Sequence, residues 1–293
     1  MSFLLNGINL STYGIIPGHG DGNIALSNCF DLPSRTGKTF HSWADSDSIE
    51  PYVSASDLFF AGRDIILHGS ILGTNSVIND SLKSLYTAIG AFTGLVTFAT
   101  TYGSFSVYVK TVTPEYMHGG AKVTIIFREP VVTLTGTLPA VGSSNYTIDS
   151  IPFLSFGLYL SKTEALHDLP EMKEQNFTSY GAEGYQIAKR KNKTLDFNGF
   201  VIGTSLADFQ SKVSALYKLF SSAGTRSIIL NNEIEIDCFA TEGFKIDNVI
   251  LYSSGMISNF KISLMCFSVN SINELSDEDG VLITDESGAQ ILI

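Results

Sequence analysis

Apolar and polar positions alternate along this chain so as to produce one kind of stretch twice. From Asp64 to Gly94 a strand-like run, DIILHGSILGT, leads through a turn into an amphipathic helix ending SLYTAIGAFTG. From Thr194 to Gly224 the run TLDFNGFVIGT leads into a helix ending ALYKLFSSAG. Gly69 and Gly199, Gly73 and Gly203, and Gly94 and Gly224 all keep an offset of 130 residues, while the Leu-Tyr pair slips by one, from Leu85-Tyr86 to Leu216-Tyr217. Residue type, order and spacing together predict two copies of one fold unit in tandem.

The remaining elements are placed around these two. Phe3 to Ile16 reads as two short strands about the turn dipeptide Asn6-Gly7. Asp64 to Leu72 is apolar on both faces and reads as a buried strand. The first helix is expected to start at Asn79 or Asp80, good caps, and to carry Leu82, Leu85, Tyr86 and Ile89 on one face, with Gly94 as terminator. Three strands follow, Leu95 to Thr101, Ser104 to Val112 and Ala121 to Phe127, the third after a loop holding Pro114 and Gly119-Gly120. In the second copy FLSFGLYLS, from Phe153, answers FLLNGINLS. A helix capped at Ser205 carries Leu206, Phe209, Val213, Leu216, Tyr217 and Phe220, a core stripe. Strands at Arg226 to Leu230, Glu233 to Ala240, Phe244 to Tyr252 and Phe260 to Val269 complete it. The expected division is a first unit over 1–130, a connector over 131–152, a second unit over 153–270, and an acidic linker with a C-terminal hairpin over 271–293. The fold class is mainly β, with one helix per unit.

Composition sharpens this picture. Hydrophobic residues make up 44% and charged residues 16%, with 20 Phe and 12 Tyr. A surface so poor in charge and rich in aromatics suits subunits that bury their outsides against neighbours. The net charge of −11 excludes a protein that grips nucleic acid by its phosphates, which needs clustered Lys and Arg. Cys29, Cys238 and Cys266 are too few and too scattered for a disulfide framework or a zinc site. MSFLLNGINL has neither the basic region nor the apolar run of a signal peptide, and no stretch has the length of a membrane span, so a chain folded in a cytoplasm is expected.

Candidate chemistry is sparse. Pro33-Ser34-Arg35-Thr36-Gly37-Lys38-Thr39 has part of a Walker A loop, but Leu32 stands where its first glycine belongs and FHSWADSDS stands where an apolar helix should follow. Gly18 to Gly22 has no helix behind it to supply amides to a phosphate. His19, His41, His68, His118 and His167 are widely spaced, with no metal or base-nucleophile pattern, and His68 reads as a core histidine. No enzyme, cofactor or metal is expected. EIEIDC alternates so that Glu233, Glu235 and Asp237 share one face of a strand, either a solvated outer face or an acidic wall past which a polyanion slides. Trp43 and the tyrosines would be the aromatic platform of a carbohydrate-binding β-sandwich for host attachment, an alternative of another class.

The order of hairpin, extended arm, buried strand, helix and antiparallel strands resembles the tube-forming β-sandwich or barrel domain of long-tailed bacteriophages. Phe3-Leu4-Leu5-Asn6-Gly7-Ile8-Asn9 through Tyr13-Gly14-Ile15, Pro33 to Lys38, Ile65 to Gly73 and the Leu-Tyr helix look like the corresponding parts of phage distal tail proteins. The resemblance implies a ring at the distal end of the tail tube, joining it to the baseplate or tip and passing DNA through its lumen. The chain is then a virion protein. Its partners are copies of itself in a homo-hexamer or homo-trimer, the tail tube protein and tip or baseplate proteins, with DNA in transit and no membrane. Two tube domains per chain depart from the simplest family pattern and are similar to a trimeric baseplate hub with pseudo-sixfold symmetry. Glu233, Glu235 and Asp237 are the candidate lumen-facing residues.

Overall fold

The computed structural model describes residues 2–20, 22–43, 49–164, 166, 168, 170–179 and 182–271. The expected C-terminal hairpin, the acidic run Asp277-Glu278-Asp279 and His167 lie outside them. The protein is mainly β. Asn6 and Gly7, at φ 49° and 80°, make the left-handed turn that joins β1 (Leu4–Leu5) to β2 (Ile8–Asn9). The Asn9 side chain accepts from the Ser11 amide and starts a single 3-10 turn at Leu10–Tyr13, which Gly14 ends at φ 71°. Then come β3 (Ile16–Pro17) and β4 (Leu26–Ser27), and the small ribbons of β5 (Arg35–Thr36) with β8 (Phe59–Phe60) and β6 (Phe40–Ser42) with β7 (Ile49–Pro51). β9 (Arg63–Leu72), α1 (Asn75–Gly90), β10 (Val96–Thr100), β11 (Gly103–Met117) and β12 (Gly120–Glu129) complete a sheet of order β2-β1-β10-β11-β12-β9-β3, with β4 also on β9.

After Pro130 the chain forms β13 (Tyr146–Ile148), β14 (Ile151–Pro152), a 3-10 turn at Phe153–Phe156 and β15 (Leu158–Glu164). A separate hairpin of β16 (Met172–Ser179) and β17 (Ala182–Arg190) follows. β18 (Lys193–Gly203), α2 (Leu206–Ser221), β19 (Arg226–Leu230), β20 (Ile234–Tyr252) and β21 (Gly255–Ser271) finish a sheet of order β14-β13-β19-β20-β21-β18-β15. Element for element this is the order of the first sheet, and the register matches too. Leu5 faces Phe98 as Ile148 faces Ile228, and Pro17 faces Gly69 as Leu160 faces Gly199.

This register explains the glycines. A Cβ on Gly69 would stand 3.1 Å from the Ile16 carbonyl oxygen, and one on Gly199 would stand 2.2 Å from that of Tyr159. In both sheets the neighbouring strand passes too close for a side chain. The one-residue slip of the Leu-Tyr pair lies in the strand-to-helix turn. Thr74 caps α1 directly after Gly73, whereas Thr204 stands between Gly203 and the cap Ser205.

Several expectations are corrected. The α1 helix begins one turn earlier than Asn79, because the strand ends at Gly73, at φ 138°, and the chain can coil at once. Pro114 lies within β11, opposite Val123, on a side of the strand with no ladder partner, where its missing N–H costs no bond. Glu233 to Ala240 and Phe244 to Tyr252 form one strand, bulged between Ala240 and Phe244. The stretch read as connector holds β13 and β14. The turn at Asp149 and Ser150, φ 50° and 62°, matches Asn6-Gly7 without the Asn-Gly signal, so Leu10, not Phe3, is the positional partner of Phe153. β9 alternates between buried and half-buried positions and is not apolar-packed on both faces.

Phe98 stacks on Phe127 with ring centroids 4.2 Å apart in the first sheet's core, and Phe244 packs on Tyr217 and Phe260, at 5.6 and 5.3 Å, in the second's. The cores merge into one, bridged by the edge contact of Phe30 with Phe209 at 5.2 Å. Gly199→Ala should cost about 1–3 kcal/mol of stability from overpacking. Gly90→Ala, at a helix end with open space around it, should add about 0.5 kcal/mol. Urea denaturation of the two variants checks both signs.

Candidate functional site

The sequence leaves one segment without an assigned role, the arm from Asn23 to Arg35. In the structure it lies along β20 of the second sheet. The Leu32 amide donates to the Phe244 carbonyl at 3.0 Å, and the Asn23 amide donates to that of Val249 at 2.9 Å. Asn23 also uses its side chain as a piece of backbone, donating from Nδ2 to the Leu251 carbonyl at 2.8 Å and accepting from the Leu251 amide at 2.6 Å. Asp31 accepts from the Ile246 amide at 2.9 Å. The buried Arg35 donates to the Ala240 carbonyl at 3.3 Å and to that of Tyr52 at 2.5 Å. The Walker-like stretch is thus part of this arm, with Arg35 and Thr36 in a strand. Glycine makes the crossing possible, since a Cβ on Gly243 would fall 1.7 Å from the Leu32 carbonyl oxygen.

Beneath the arm lies a buried charge. Arg63, at the start of β9, donates from Nε to Glu129 Oε2 at 2.7 Å, and from Nη1 to the Asp31 carbonyl and the Tyr217 hydroxyl at 2.8 Å each. Its guanidinium also lies over the Phe105 and Tyr217 rings. Burial alone would lower the Arg63 pKa, but Tyr217 and Glu129 outweigh it and raise the value. Burial pushes the Tyr217 hydroxyl up to about 12, against the pull of Arg63. Burial likewise raises the Asp31 carboxyl to about 6, opposed by the Ile246 amide, Arg63 and Lys245. Tyr217 of the Leu-Tyr pair therefore sits at the junction of the two sheets. Its partner in position, Tyr86, does not join a core as the stripe predicts: Tyr86 is 45% exposed where Tyr217 is 7% exposed.

The acidic stretch is divided. Glu235 and Asp237 share the face of β20 opposite the buried Ile236 and Cys238, whereas Glu233 sits in the preceding turn, its amide donating to the Leu230 carbonyl at 3.0 Å. Glu235 accepts from the Ser227 hydroxyl at 2.9 Å, and nearby Asp149 accepts from Arg226 at 2.6 Å. His68 is half-buried and shares a 3.1 Å hydrogen bond with Ser27. Trp43 is exposed with His41 against it. The three cysteines are free and buried, and hydrogen bonding to Cys266, together with burial, raises the Cys238 thiol well above its ordinary value. Among the described residues, no group of His, Cys, Asp or Glu is placed to hold a metal ion, and no helix is long and apolar enough to cross a membrane.

No known protein family and no curated protein matches the sequence. Among solved structures, the chain is similar to the Dit protein of phage SPP1, described as a paradigm of the hub adsorption apparatus in phages infecting Gram-positive bacteria. The two are 12% identical, the match covers 89% of this chain and 98% of that one, and the TM-score is 0.35.

Two predictions follow the junction. Arg63→Met leaves Glu129 buried without a partner and should cost about 3–5 kcal/mol, most of it recovered in the Arg63→Met/Glu129→Leu pair. The folded chain holds the Asp31 proton more tightly than the unfolded chain, where the value is 3.8. This contribution is therefore complete below about pH 4 and is lost as pH rises through about 6. Unfolding free energies measured from pH 4 to 7 should fall less steeply in Asp31→Asn than in the parent.

Proposed function

We propose that this chain is a structural protein of a bacteriophage tail, forming a ring at the distal end of the tail tube that joins the tube to the baseplate or tip and passes DNA. The observation that carries the reading is the arm: a unit of one strand order grips the sheet edge of a second unit of the same order. A contact of one patch with a different patch, repeated from chain to chain, closes into a ring when its rotation permits. Tandem duplication of one tube-like unit accounts for the matching orders, registers and glycines. The arm contact joins like to like, which favours three chains supplying six similar positions over six chains with the second unit outside. In this assembly Glu235 and Asp237, with Glu233 at their rim, face the lumen, and like charge keeps DNA from adhering. The neighbours are the tube protein and the tip or baseplate proteins.

Light scattering on the native protein should give three or six chain masses, and negative-stain images of that fraction should show a hole at least as wide as duplex DNA, on the order of 20 Å. A monomer at every concentration overturns the reading. Rings of the Glu235→Lys/Asp237→Lys variant should retain duplex DNA in a low-salt gel shift, and parent rings should not.

A further inference from the structure

The two sheets treat the same edge differently. In the second sheet β19 covers β20 only from Ile234 to Cys238, and the edge beyond it, from Ala240 to Leu251, is occupied by the arm. In the first sheet β10 covers β11 only from Gly103 to Val107, and from Tyr108 to Met117 the strand pairs with β12 alone. No described residue lies along that edge as the arm lies along β20. A row of unpaired amides and carbonyls of this length is a template for another strand.

We infer that a second copy of this chain completes the Tyr108–Met117 edge through its β16–β17 hairpin; the inference rests on the ring-forming reading above. The occupant follows from position. The arm leaves the first sheet between β3 and β9, and the segment in the corresponding place of the second unit, between β15 and β18, is this hairpin. It pairs only with itself in the described ladders, and a lone two-stranded ribbon is marginal in water. The helix beside the edge carries the same asymmetry. Tyr217 of α2 is sealed by the neighbouring unit, while Tyr86 of α1 borders an open groove of about 440 Å³ with Asn79, Lys83, Pro114 and Tyr116. One seated neighbour covers both edge and groove, as the arm and Arg63 do within the chain. Pro114 offers no N–H, so a strand seated on this edge leaves that one rung of the ladder unmade.

The test uses the full chain with a photoreactive benzoylphenylalanine in place of the exposed Thr113, mixed with ¹⁵N-labelled parent protein. Irradiated rings should yield a cross-link from that residue to a peptide within 172–190 carrying the other isotope. Backbone amides of 108–117 should exchange at least tenfold more slowly in rings than in chains diluted to monomers. Rings that cross-link to another segment, or whose 108–117 amides exchange equally fast in both states, overturn the inference and leave the ring reading standing. A parent protein without rings removes both.

Discussion

A guanidinium out of water demands partners, and the placement of the two sheets depends on how Arg63 finds them. It takes Glu129 from the end of its own sheet, a carbonyl from the arm and a hydroxyl from the far sheet's helix. Hydrophobic contact such as Phe30 on Phe209 brings the units together without direction. The planar donor fork of Arg63 sets the angle and the depth, because rotation of either unit would strand a charge. At the offset of 130 residues the second unit has Lys193, whose ammonium donates to the local Leu166 carbonyl. The fork bridges units, whereas the point charge pins a loop.

This difference gives two like units unlike surroundings. α1 and α2 carry the same Leu-Tyr pair and pack on corresponding strands of their own sheets, α1 on β9 and β12, α2 on β18 and β21. Yet α2 is surrounded, by its own sheet, by the first unit and by the segment after Pro130, which passes so near that a Cβ on Gly136 would stand 2.0 Å from the Ser214 carbonyl oxygen. α1 buries Ile78, Leu82 and Leu85, half-buries Ser81, Ala88 and Ile89, and exposes its remaining residues to solvent. Among the described residues, α2 is thus covered on sides that α1 leaves open.

What was legible in the sequence is what local rules govern. Gly69 and Gly199 marked a repeat at one offset without saying why glycine stands there, whereas Asn6-Gly7 marked a hairpin and Ser205 with the stripe from Phe209 to Phe220 a capped and buried helix. The acidic face of β20 followed from period two, apart from Glu233. Misreadings arose where a local signal was weak or outvoted. Asp149-Ser150 makes the same left-handed turn as Asn6-Gly7 with poorer turn residues, and Thr241-Glu242-Gly243 looks like a break between strands because it is a bulge over which the arm passes. Pro114 suggested a loop only because an open edge was not anticipated. The junction itself was illegible, since Asp31 and Ile246, or Asn23 and Leu251, meet across most of the chain and neither partner has a pattern of its own.

That separation in sequence sets a schedule for the nascent protein. The bonds of Asn23 to Leu251 span 228 residues, so at roughly 5–20 residues per second of synthesis the arm waits about ten to forty-five seconds for the strand it will cover. Throughout that interval Phe30 and Leu32, buried in the finished fold, wait without the second unit they pack on, while Leu26 and Ser27 can already pair with β9 of the first sheet. On crowded polysomes the nearest finished β20 belongs to another chain, and an arm that takes it exchanges an intramolecular clasp for an identical intermolecular one. The clasp is thus among the last parts of the fold that synthesis can close, and the order of the sequence rather than the strength of the bonds sets that delay.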